Sequence, residues 1–219
     1  VLGGGLSFAF LVAGALALDT IYTHDLSRLS DLAQDVVDRD GIILRSYPAD
    51  DGRWRFLARS EVSPTYLRFL RAYEDKRFDH HFGVDPLALL RASVQIVQHG
   101  RVVSGGSTLT MQVARLLEPR PRNLTSKLVE MFRAFQLEAR LSKLEILNIY
   151  LTLAHFWGNL EGVVSASRFY FGKSPQHLTV SEAALLVALP QSPTARRPDR
   201  PPQAARAARA RDLDRLVAA

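Results

Sequence analysis

The sequence contains no cysteine, which excludes disulfides, thiolate metal sites and a cysteine nucleophile. Lysine is scarce. Lys76, Lys127, Lys143 and Lys173 are the only four among 28 basic residues, which leaves 24 arginines. No serine stands three residues ahead of any of them, so a Ser-x-x-Lys acylation motif is absent. Long uncharged stretches are scarce too. Val1–Leu18 is the one example, ended by Asp19, and its length lies at the lower edge of what crosses a bilayer. Ala15-Leu16-Ala17 resembles a signal-peptidase site, but a retained transmembrane anchor is the expectation. Residues 19–36 would then be a linker, and the domain beyond would lie outside the cytoplasm.

What remains has the make-up of an ordinary globular domain. Hydrophobic residues are 47% and charged residues 23% of 219, room for one compact domain and a short appendage. The formal net charge is +6. Much of the excess lies late, where Arg196, Arg197, Arg200, Arg206, Arg209, Arg211 and Arg215 face only Asp199, Asp212 and Asp214. Such a balance fits nucleic acid, an anionic membrane or a phosphate-bearing substrate, and equally a plain solvated face. Residues 194–219, rich in Pro, Arg and Ala, read as a basic domain edge or linker.

Asp38–Leu57 reads as a strand-and-turn unit, with Ile42-Ile43-Leu44 as the strand and Pro48-Ala49-Asp50-Asp51-Gly52 as a turn cluster. After Ser60 the pattern is helical. Ser63-Pro64 and Asp85-Pro86 are start signals, and Leu67, Leu70 and Tyr73 recur every three residues. Ser142 with Glu145, and Thr179 with Glu182, form capping boxes, and Pro190 stops the last apolar helix. The sum is a mainly α domain of about eight helices.

Three segments carry candidate chemistry. Glu74 follows Leu70 by four residues, beside a buried stripe. Partial desolvation there would raise its pKa and suit it to general base work. Taken alone it reads as well as a surface acid paired with Lys76 or Arg77. His80 and His81 are adjacent and lack the i,i+4 spacing of a zinc pair, so a positioning role fits them better than a metal. In Ser104–Arg115, two glycines lead into a helix opened by Ser107 and Thr108, a receptor for phosphate oxygens or simply a capped helix. Gln112 and Arg115 extend that surface. Lys127 and Glu130 share a helix face, either as a surface ion pair worth about a few tenths of a kcal/mol or as a cation and carboxylate at a leaving phosphate.

The combination and order of these segments resemble glycosyltransferase family 51, the polymerase domain of class A penicillin-binding proteins. The likeness runs from about Val37 to Leu216 and includes Glu145–Leu151, Leu160-Glu161-Gly162 and Ser181–Pro193. The resemblance implies a lysozyme-like helical head with a smaller, mobile, membrane-proximal lobe, the glycosyltransferase domain occupying residues 37–193. It implies lipid II and the growing lipid-linked glycan as ligands, the bacterial inner membrane as location, other cell-wall synthesis proteins as partners, and no nucleic acid. By the same resemblance Glu74 is the base and Glu130 the second catalytic glutamate. Asp75, Phe78, His81, Ser107, Thr108, Gln112, Arg115 and Lys127 are implied substrate-binding positions. No cofactor is required, though a divalent cation (Mg or Mn) can accompany the donor pyrophosphate.

The chain departs from the family pattern at Met111, Arg115, Leu116, Ser126 and Thr152, where Gln, Lys, Asn, Arg and Asn are usual. Ser126 removes a cation next to Lys127 and so bears on leaving-group stabilisation. The missing acylation motif implies no cross-linking activity in this stretch, a fragment or short form. The competing expectations are a lysozyme-like hydrolase or lytic transglycosylase, which needs a strong general acid for a poor leaving group, and a membrane-anchored assembly module whose site has decayed.

Overall fold

The computed structural model describes residues 23–58, 62–100 and 106–191, with helical fragments at 206–207 and 209–210. The expected anchor, Ser104 and Gly105, and most of the basic tail lie outside the described residues. Among those described, no helix is long and apolar enough to cross a membrane.

The strand-and-turn unit is a hairpin plus a short strand. β1 (Gln34–Val37) and β2 (Ile43–Tyr47) pair antiparallel, Gln34 opposite Tyr47, with a bulge at Val36/Val37. β3 (Trp54–Arg55) runs parallel to β5 (Leu160–Glu161), which pairs antiparallel with β4 (His155–Trp157). Ile42, Ile43 and Leu44, the apolar run, are all exposed. A two-stranded ribbon has no second layer to hide its side chains.

Seven α-helices follow among the described residues: α1 (Pro64–Glu74), α2 (Pro86–His99), α3 (Leu109–Leu117), α4 (Leu124–Arg140), α5 (Lys143–Leu153), α6 (Gly162–Phe171) and α7 (Val180–Ala188). Most start signals act as the sequence implies. Pro64 opens α1, though Ser63 makes no side-chain cap; Asp85 Oδ1 accepts the Leu87 N–H at 3.0 Å at the start of α2, and both capping boxes close reciprocally. Asn123 caps α4 by accepting the Ser126 N–H at 2.7 Å.

α5 is the centre of the molecule. Ile146, Leu147, Ile149, Tyr150, Leu151 and Leu153 are all buried, so its apolar residues surround the axis rather than forming a stripe. α1, α3, α6 and α7 close around it, contributing Tyr66, Leu70, Val113, Val163 and Leu186 to the same core. Each fully buried aliphatic side chain contributes about 1.5–3 kcal/mol. Gly162 makes this closure possible. Its φ is +82°, and a Cβ there would lie 2.6 Å from the Thr152 carbonyl oxygen at the end of α5.

α2 is different. Leu87, Leu90, Val94 and Val97 are exposed, and among its described side chains Ala92 is the buried one. It meets the body through Leu89 beside a small cluster of Val84, Met111 and Ala134. Gly106 permits that approach, since a Cβ there would press on Leu89 and Ala92. Among the described residues the core is thus thick around α5 and thin under α2.

Candidate active site

Glu74 is the last residue of α1 and is half-buried. The pairing with Lys76 or Arg77 is not what forms: Lys76 is exposed, and Arg77 lies 3.8 Å from Asp85 instead. Glu74 meets two neutral amides. Gln112 donates Nε2–H to Oε2 at 2.7 Å, and Gln191 donates to Oε1 at 3.1 Å. Burial pushes the carboxyl above the ordinary glutamate range, the two amides and the Arg115 charge pull it back, and Asp75 adds a smaller upward push. The net direction is upward, as a base needs. Burial, and then the Glu74 charge, also hold the hydroxyls of Tyr66 and Tyr150 well above the usual tyrosine range.

From Gln112 the polar line continues along α3 and across to α4. Arg115, one turn after Gln112, brings Nη1 to 3.9 Å from Glu130 Oε1. Glu130 is only 7% exposed, and its other oxygen lies 3.1 Å from Lys127 Nζ. Lys127 also donates to Ser107 Oγ at 2.5 Å. The groups along α3 and α4 are carboxyl, amide, guanidinium, carboxylate, ammonium and hydroxyl: Glu74, Gln112, Arg115, Glu130, Lys127 and Ser107. Ser126, 8% exposed and uncharged, leaves Arg115 and Lys127 as the cations flanking Glu130.

Four expected contact residues are turned to another task. Thr108 is 2% exposed; its hydroxyl donates to the Gly83 carbonyl at 2.5 Å and accepts the Met111 N–H at 3.1 Å. Asp75, also buried, accepts the Leu109 N–H at 3.0 Å and the His81 Nε2–H at 3.0 and 3.1 Å. At the start of α3 the Leu109 and Met111 N–H groups are thus taken by a carboxylate and by a cap. Phe78 is 1% exposed and meets His81 edge-on with centroids 6.4 Å apart. Asp75, Phe78, His81 and Thr108 brace the site from behind.

Further supports were not anticipated. Lys143 donates to the His81 carbonyl at 2.6 Å and to Glu138 at 2.7 Å, and sits 4.6 Å over the Phe78 ring. A lysine at the first position of a helix opposes the dipole, and that mismatch was the available sign of a local partner. Gly83, at φ +79°, lies so close to α4 that a Cβ would be 2.7 Å from the Ala134 oxygen. Gln191 carried no comparable sign, since only the tertiary fold brings it to Glu74. A second buried cluster was also missed. Glu161, 2% exposed, accepts from Arg28, Arg53 and Arg55 at 2.6–3.1 Å, and Arg55 is fully buried.

The family model described as Transglycosylase matches residues 40–217. Penicillin-binding protein 1C of Escherichia coli (strain K12) is 50% identical over 186 residues, 84% of this chain and 24% of that protein. Penicillin-binding protein 1A of Aquifex aeolicus is 36% identical over 187 residues, 84% of this chain and 25% of the relative. A crystal structure of penicillin-binding protein 1A from Haemophilus influenzae aligns with 84% of this chain and 18% of its own, at 18% identity and a TM-score of 0.44. The chain thus spans about a quarter of the length of the curated relatives it matches. On the family match and the identities to the two curated relatives, the chain belongs to the transglycosylase family.

Proposed function

We propose that the domain polymerises lipid II, with Glu74 as general base and Lys127, Arg115 and Ser107 receiving the departing diphosphate. The acceptor 4-hydroxyl attacks the anomeric carbon of the lipid-linked chain while Glu74 takes its proton. The bond from that carbon to the phosphate oxygen breaks, its electron pair leaves with undecaprenyl pyrophosphate, and the centre inverts. Cations and a hydroxyl placed where the charge develops lower the barrier to that departure. Asp75, Phe78, His81 and Thr108 act as positioning residues.

The observation that carries this reading is that α3 presents Gln112, bonded to Glu74, and one turn later Arg115, which faces Glu130 and Lys127. Glu130 orients both cations. A divalent ion carried in with the diphosphate would take Glu130 as its one protein ligand, magnesium's usual habit being to draw the rest from phosphate and water.

Membrane contact is part of the proposal. Leu87, Leu90, Val94 and Val97 on α2, with Leu124 and Leu128 at the start of α4, are exposed apolar side chains. A lipid-linked substrate delivered from the outer face of the inner membrane fits such a surface. The proposal extends to residues 1–18 as a membrane anchor and to other cell-wall synthesis proteins as partners.

The test is incubation of the chain with lipid II and, separately, with finished glycan. Glycan polymer appears as lipid II is consumed. Shortening of finished glycan without lipid II consumption would sink the polymerase reading in favour of a lytic enzyme. Binding of lipid II without turnover would indicate an assembly module.

A further inference from the structure

We propose that Gln191 is a positioning residue for the base: its amide, aimed by the Tyr73 hydroxyl, holds Glu74 in the ionised, proton-accepting form. The inference rests on the assignment of Glu74 as base.

Gln191 ends the 3-10 turn Leu189–Gln191 that continues α7, and α7 packs along α1. Leu189 is fully buried, so the turn is pinned to the core and the Gln191 backbone has a fixed place. The Tyr73 hydroxyl donates to Gln191 Oε1 at 2.8 Å, which leaves Nε2–H turned toward Glu74 Oε1 at 3.1 Å. A flipped amide would set its carbonyl against the carboxylate and deprive the tyrosine proton of its acceptor. Tyr73 directly precedes Glu74, so the base and the group that aims its partner ride on the same turn of α1.

With Gln112 on Oε2, each carboxylate oxygen accepts one N–H and keeps capacity for the acceptor hydroxyl. Both donors are neutral. They favour the anion without the full ion pair that would quench its basicity. The charged and titratable groups facing Glu74 are Arg115 from α3, Asp75 beside it, Tyr66 within α1 and Tyr150 from α5. Arg115 favours ionisation and Asp75 opposes it, while both tyrosines stay protonated throughout the working range. Gln191 is the exposed member of this set, so it can be altered without opening a cavity.

The experiment uses the full chain as wild type, Tyr73→Phe, Gln191→Ala and Gln191→Glu. The Glu74 carboxyl carbon is titrated by 13C NMR, and kcat and KM for lipid II are followed with pH. The expected order of Glu74 midpoints is wild type, Tyr73→Phe, Gln191→Ala, Gln191→Glu, with Gln191→Ala raised by about half to one pH unit. The acid limb of kcat/KM moves up by the same amount, and activity recovers on the alkaline side. Four coincident midpoints, or a rate loss equal at every pH, would overturn the assignment. The NMR order is read without substrate, so failure of this inference stays distinct from failure of the polymerase reading, which shows as a wild-type chain that leaves lipid II untouched.

Discussion

Glu161 and Glu74 are the same side chain at opposite ends of a helix. Glu161 is the N-cap of α6, where the helix dipole welcomes a negative charge, and three guanidiniums crowd it. Glu74 closes α1, where the dipole opposes a negative charge, and its hydrogen-bond donors are two uncharged amides. The first carboxylate is a cross-link on a fully buried arginine that also holds Asp51. The second keeps neutral partners, and burial is the largest influence pushing its carboxyl above the ordinary glutamate range. Partner charge and helix end both differ between the two.

Exchanging each carboxylate for its amide is the sharpest way to break that comparison. Glu74→Gln is expected to reduce lipid II polymerisation by about a thousandfold or more with the thermal midpoint retained, read by a polymerisation assay beside a melting curve. Glu161→Gln is expected to do the reverse. Removing one partner of a buried charge cluster costs about 3–5 kcal/mol, a fall of about 10 °C in Tm, while kcat per folded molecule persists in the cold. Equal losses of activity and stability in both variants would erase the distinction.

Lys127→Met sharpens the leaving-group end, with kcat expected to fall about a hundredfold and the acid limb of the pH profile left in place. The smallest effect is on stability. Folded Glu74 holds its proton to higher pH than the unfolded chain does, so the unfolded state binds fewer protons between the two midpoints. Unfolding free energy therefore falls as pH rises through that window and levels off above the folded midpoint. Urea titrations across the window should show this component in the wild type and not in Glu74→Gln.

Local features of the sequence were legible and distant ones were not. The caps at Ser142 and Thr179, the prolines at 64 and 86 and the stop at Pro190 act within a few residues, and the helices begin and end accordingly. Of the residues the motifs single out, Glu74 meets Gln112, and Lys127 meets Glu130. What each partner does was less visible. Thr108 at a helix start reads equally as a phosphate ligand or a cap, and only the Gly83 carbonyl above it decides for the cap. Gln191 and Tyr73 are 118 positions apart, and nothing short of the packing of α7 on α1 brings them together. The arginines on Glu161 come from residues 28, 53 and 55, so their meeting is likewise a property of the closed fold.

Asp75 ties together two halves of the chemistry. It is the next residue after Glu74, and its carboxylate grips the first amide of α3, the helix that carries Gln112 and Arg115. In the proposed reaction, proton removal and capture of the diphosphate therefore share one hinge pin. Loosening that pin lets both jaws go slack together, so an enzyme damaged there fails outright instead of surviving as a grip that holds its cargo but no longer works on it.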